Sequence, residues 1–334
     1  MVITEQYTPA TYYIPCHDIV NTLEFCPYNW CSCLLAVGTN SRVVLYRCRF
    51  TTEECEEDES VHEDFEFKLL KDIQNGCPVR SLSWSPMSSY KSYEQPDSVR
   101  IAAAGSDRRI KVLTTDLLQE VDAMVLEGHS DFINSLAYNP GNGDMLVSTG
   151  DDYTCRLWGN DGSQQACFQL SAPGMSVYIH EKEPGKVVVA QKNGLIKIFS
   201  LDLQHQISSC DCGISPLMAI DLCNSDEDII GAVAGTEWMV FQLSRSSQPL
   251  EKRQAHTDGV QDIKWCKSNP NLLATSGRPG RQIKVFSTRH HQMPLNTSIK
   301  VSYGVSWHAQ LPVLAVGGDS KVQLFYIEPA KPHS

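Results

Sequence analysis

The sequence predicts an all-β protein: a single seven-bladed β-propeller, closed by an N-terminal strand that completes the last blade. Three observations predict it. A strand motif (an apolar residue, one further residue, then a larger apolar one) recurs seven times along the 334 residues. The intervals between copies are 59, 54, 41, 43, 43 and 42 residues, the last four close to the ~40–45 residues of one propeller blade. Each copy is followed by two more strand-like runs separated by turn residues, so the unit is a small sheet and not a lone hairpin.

The blades follow in order. Blade one, 17–72, opens on Leu23-Glu24-Phe25-Cys26-Pro27, continues with Leu34-Leu35-Ala36-Val37-Gly38 and Val43-Val44-Leu45-Tyr46, and takes Phe65 and Phe67 into its outer strand. Blade two, 77–124, carries Leu82-Ser83-Trp84-Ser85-Pro86, Ile101-Ala102-Ala103-Ala104-Gly105 and Ile110-Lys111-Val112-Leu113. Two insertions, 51–64 and 87–98, account for the two long intervals. Blade three, 129–170, has Leu136-Ala137-Tyr138-Asn139-Pro140, Met145 to Gly150 and Cys155-Arg156-Leu157-Trp158. Blades four (174–211), five (216–252) and six (257–298) are built on Val177-Tyr178-Ile179, Ile220-Asp221-Leu222 and Ile263-Lys264-Trp265. The seventh, 302–328, is built on Val305-Ser306-Trp307 and supplies only three strands before the chain reaches its 329–334 tail. Its fourth strand is expected from 7–15, giving one domain over 7–328. Closure of this kind removes a sheet edge that would otherwise pair with other chains. The second strand of each blade is small and apolar, which suits the crowded region where neighbouring sheets approach.

Blade three opens with Gly128-His129 and closes on Asp152 and Trp158, and so resembles the Gly-His…Trp-Asp pattern of the WD40 family. What that resemblance implies is a hydrogen-bonded structural network of His129, Ser148, Asp152 and Trp158. Gly159 stands where the family carries its final Asp, and only Ala255-His256 repeats the first half elsewhere. Trp84, Tyr138, Trp158, Trp265 and Trp307 are expected in the blade cores. Trp30 and Trp238 are candidate partner contacts, because Trp238 follows Gly235 in an apparent turn and Trp is favoured at interface hot spots.

Lys and Arg total 28 against 39 Asp and Glu, a net charge of −11, which disfavours direct nucleic-acid binding through clustered cations. Eight acids lie between Glu53 and Asp64 with no Lys or Arg among them, and removing them leaves the remainder near −3. Such a block reads as a solvated loop, with docking to a basic surface as the sharper alternative. Thirteen cysteines without a C-x-x-C spacing are expected to be reduced, largely buried thiols in an intracellular protein. The N-terminus lacks the pattern of a signal peptide, and no run approaches the ~18 apolar residues of a membrane helix.

Chemistry is sparse. No phosphate loop, G-x-S-x-G elbow or H-E-x-x-H pair occurs. Arg278-Pro279-Gly280-Arg281 and Arg108-Arg109 read as exposed turns. His290 and His291, if on a strand, point to opposite faces and cannot easily share an ion. The expectation is therefore a non-catalytic binding module without metal, cofactor or small-molecule substrate.

Longer segments narrow the resemblance. Leu126 to Asn134, Asp151 to Trp158, Pro173-Gly174-Met175-Ser176-Val177, Gly231 to Trp238, Ser244 to Pro249, Gly304 to His308 and Gly317-Gly318-Asp319 resemble the small WD40 nucleoporins of about 37 kilodaltons, from Tyr12 to Phe325. The resemblance implies a scaffold of the nuclear pore's Y-shaped outer-ring complex. It further implies attachment to the 160-kilodalton nucleoporin, support of mRNA and protein transport, and a mitotic presence at kinetochores. Two alternatives stay open: a ubiquitin-ligase substrate receptor and a histone-tail reader. Trp158-Gly159-Asn160-Asp161 lacks the Trp-Asp-x-Arg by which such receptors dock their adaptor.

Overall fold

The computed structural model describes residues 8–50, 64–91, 96–119, 121–180, 182–183, 185–226, 228–278, 282–289, 293–299 and 303–327. Glu53 to Glu63 of the acidic run, His290-His291 and the 329–334 tail lie outside these residues, as do parts of the 87–98 insertion and of the Arg278 to Arg281 turn. The described residues form seven four-stranded antiparallel sheets with a single short 3-10 turn, Asn29–Cys31.

Blade three shows why this sequence gives this sheet. β10 (Ile133–Tyr138), β11 (Met145–Gly150), β12 (Thr154–Gly159) and β13 (Gln164–Gln169) are hydrogen-bonded in that order. β11 is covered on both faces, and it has the unbroken run of small and apolar residues that such burial demands. β13 buries Phe168 and exposes most of its other residues, as expected of a strand on the rim. All seven inner strands carry a register shift at their second residue, from Val20/Thr22 to Tyr303/Val305. A bulge bends a strand and increases its twist, and here the device repeats once per blade around the axis.

The core is divided among the interfaces. Seven apolar clusters lie between consecutive sheets, one for each neighbouring pair, including the pair formed by the last blade and the first. At that junction Ile14, Val313, Ala315, Val322 and Leu324 pack on Leu23, Phe25, Leu35 and Val37. No sheet could bury both faces alone, so the wheel is the folding unit. Closure is made by β1 (Tyr12–Pro15), which pairs antiparallel with β28 (Lys321–Tyr326) and so becomes the fourth strand of the last sheet, beside Val313–Gly317 and Tyr303–Trp307.

Blade ends differ slightly from the sequence estimates. The outer strands of blades one, two and five run on to Gln74, Leu126 and Gln254, past the estimated 72, 124 and 252. Blade one is also the longest: β4 (Arg42–Phe50) and β5 (Phe65–Gln74) pair along their whole length, up to Phe50 opposite Phe65. One reading is corrected. Cys26 and Cys31 form a disulfide, with Cα atoms 6.0 Å apart across the Asn29–Cys31 turn, so the thiols are not all free. The turn, not a recognisable spacing, brings the pair together.

Candidate functional site

Three arrangements could carry function: the blade-three network, the axial channel and the exposed tryptophan. In the first, His129 Nδ1 lies 2.8 Å from Asp152 Oδ2, and its Nε2 lies 2.7 Å from Ser148 Oγ. The Trp158 indole N–H donates to the same Ser148 oxygen at 2.8 Å. An indole only donates, so Ser148 accepts from Trp158 and donates its O–H to Nε2, leaving Nδ1–H to donate to Asp152. Asp152 also accepts from the Ser130 and Thr154 backbone and from the Thr154 hydroxyl. Burial works against its charge, but the bonds from His129 and Thr154 win and hold its carboxyl down at about 2. Both His129 and Asp152 side chains are 1% exposed. A substrate cannot reach this chain of donors and acceptors. It ties a loop to two strands.

Blade six holds an incomplete version. His256 Nε2 meets Thr275 Oγ1 at 2.9 Å, but Phe286 pairs with Leu273 as Trp158 pairs with Leu146. Burial, aided by the Lys284 charge, pushes the His256 imidazole down to about 4.

The axial channel has a volume of about 910 Å³ and is lined by the inner strands of all seven blades. Alternate residues of these strands face it, and they cap the strand edge of the following blade. Ser81 and Ser83 accept from the backbone N–H groups of Leu136 and Tyr138 at 3.2 and 3.1 Å. Ser135 serves Val177, Asp221 serves Trp265 and Ser306 serves Phe25, the last bond crossing the closure. Trp84 and Trp307 reach backwards, their indole N–H groups donating to the carbonyls of Glu24 and Lys264. These caps went unrecognised in the sequence, although the serines of Leu82-Ser83-Trp84 and Val305-Ser306-Trp307 were a visible signal.

The channel also holds a charge cluster. Lys264 Nζ donates to Tyr178 Oη at 3.0 Å. Burial works against its ammonium, but Tyr178, Asp221 and Asp262 together raise its pKa. Burial pushes the Glu24 carboxyl up to about 7, against the pull of Lys264 and Lys267, and pushes Asp262 up to about 6. Among the described residues no group of three or more His, Cys, Asp or Glu could hold a metal ion.

The predicted core residues are placed as follows: Trp84 is 1% exposed, Trp158 2%, Trp265 and Trp307 3%, and Tyr138 6%. Tyr138 and Trp158 share the cluster between blades two and three, and Trp84, Trp265 and Trp307 lie in three other inter-blade clusters. Trp238 is a correction. It is 0% exposed, with the Arg253 guanidinium 5.3 Å above its ring and Phe286 5.8 Å away. The turn ends at Thr236, and Trp238 is the second residue of β20 (Glu237–Gln242), where strand alternation points it at blade six. Trp30 is the opposite case, 56% exposed.

Comparison with known proteins fits this architecture. The family described as WD domain, G-beta repeat matches residues 68–113 and 121–159. One match begins within the outer strand of blade one and the other just before that of blade two, and each ends in the third strand of the next blade, so the sequence repeat straddles two sheets. The chain is 38% identical to nucleoporin Nup37 of Mus musculus and 37% identical to that of Homo sapiens, over 95% of this chain and 97% of each relative. It is 30% identical to nucleoporin Nup37 of Drosophila melanogaster over 79% of this chain and 83% of that one. With the propeller, the blade-three network and this end-to-end identity together, the chain belongs to the Nup37 family of WD40 nucleoporins.

Proposed function

We propose that this protein is a non-catalytic scaffold of the nuclear pore's outer ring, joined to the 160-kilodalton nucleoporin and present at kinetochores in mitosis. The observation that carries the proposal is the identity to Nup37 nucleoporins along almost the whole of both chains. The site chemistry supports it: the polar groups of blade three and many of those along the axis are engaged with one another, which suits a rigid ring that presents loops. The test is to tag the protein at its native locus, image it through the cell cycle and quantify what co-purifies with it. A rim of pore signal, a mitotic kinetochore signal and stoichiometric recovery of the 160-kilodalton nucleoporin are expected. Recovery of ligase adaptors or histones in its place overturns the proposal.

A further inference from the structure

In each antiparallel sheet, the loops joining strands one to two and three to four leave the wheel at one end. The remaining loops leave at the other. On that rule the described ends of both insertions, Phe50 and Phe65 in blade one and Trp84 and Val99 in blade two, lie on the same face of neighbouring blades. The 51–64 segment joins the third and fourth strands of blade one, and 87–98 joins the first and second strands of blade two. The same face carries Trp30, Met87 and Leu118, which are 56%, 51% and 89% exposed.

The Trp30 ring and the backbone that presents Leu118 are both fixed. Trp30 stacks on Tyr28 with ring centroids 5.0 Å apart and planes 13° from parallel. Its indole N–H donates to the carbonyl of Ser88, the residue after Met87, at 2.8 Å. The Tyr28 hydroxyl in turn donates to the Trp84 carbonyl. Leu118 is presented by a turn in which Asp116 accepts from the Leu118 and Gln119 backbone at 2.9 and 2.7 Å. Its neighbour Leu117 is anchored in the cluster between blades one and two, against which Tyr28 also packs. An aromatic residue that is half exposed yet already fixed loses little freedom on binding, and this is the physics of an interface anchor.

We propose that this face of blades one and two, centred on Trp30, docks a partner segment that offers an apolar side chain flanked by Lys or Arg. The inference rests on the scaffold reading above and names the surface and the chemistry it takes. Charge fixes the flank. The chain that leaves this face at Phe50 and returns at Phe65 carries eight acids and no Lys or Arg. That stretch is not part of the docking surface. It supplies a negative field that reaches about one Debye length, ~8–10 Å, into solution.

The test uses the full chain with the 160-kilodalton nucleoporin. Affinity is measured for the wild type, for Trp30→Ala and Leu118→Asp, and for Phe132→Ala on the opposite face; each variant is first checked for a native melting curve. Trp30→Ala is expected to weaken binding by about 30-fold or more, with Phe132→Ala unchanged. Replacing the eight acids by Gln and Asn is expected to slow association and flatten its salt dependence. Wild-type affinity in Trp30→Ala overturns the inference and leaves the scaffold reading intact. If the nucleoporin does not bind the wild type, that reading falls, and the surface is then decided by oxidative footprinting of the protein in its native assembly and alone. Protection of Trp30 and Met87 in the assembly sustains the inference; equal labelling overturns it. A concentration-dependent dimer abolished by Trp30→Ala also overturns it, because the occupant is then a second copy.

Discussion

Replacing Asp152 by Asn isolates the energetic role of the blade-three network. The carboxyl titrates at about 2 in the folded chain against an ordinary 3.8. At 1.36 kcal/mol per unit that difference is worth up to about 2.5 kcal/mol, and about half as much if solvent at the turn screens it. Because the folded value is the lower one, the stabilisation is complete above about pH 5 and lost as pH falls towards 2. The Asn side chain keeps one acceptor but turns an N–H towards a donor, so a further ~1–3 kcal/mol is expected from an unsatisfied buried group. The assay is urea unfolding, followed by tryptophan fluorescence, at pH 7 and at pH 3 for both proteins. Asp152→Asn should be less stable at pH 7 by about 2–5 kcal/mol, and the gap should narrow by about 0.5–1 kcal/mol at pH 3. A gap that stays constant with pH refutes the assignment of a buried, charged Asp152. No gap at all refutes the network.

Two further predictions follow from the same geometry. Deleting residues 1–16 removes the β1 ladder and Ile14, which is 0% exposed; the loss is about 4–6 kcal/mol, partly offset by the freed chain's entropy. A truncated protein that melts with the wild type refutes closure by this strand. Trp238→Ala should cost about 3–5 kcal/mol through the cavity it leaves between blades five and six, with partner affinity unchanged once the variant is folded. A melting temperature near the wild type refutes that placement.

The fold was legible because a blade imposes its period on the sequence. Leu23, Leu82, Leu136, Val177, Ile220, Ile263 and Val305 are buried positions inside the seven inner strands, and the small second strands report burial on both faces. Parity was harder to read. Gly235-Thr236 signals a turn, but whether the strand resumes before or after Trp238 decides which way the indole points, and no residue there marks the restart. The Cys26–Cys31 pairing depends on a local 3-10 turn that has no spacing rule. The network of His129, Ser148, Asp152 and Trp158 was readable residue by residue in blade three and only partly in blade six, where Phe286 lacks a proton to donate.

The pairing of β1 with β28 sets a condition on biosynthesis. Residue 15 ends the first strand and residue 321 begins its partner. At about 5–20 residues per second, a ribosome needs about 15–60 s to cover the interval. Throughout that time the nascent chain holds a finished N-terminal strand with no neighbour and up to six blades with an open flank. Those flanks are apolar, and they stay uncovered until β28 has left the exit tunnel and can pair with β1.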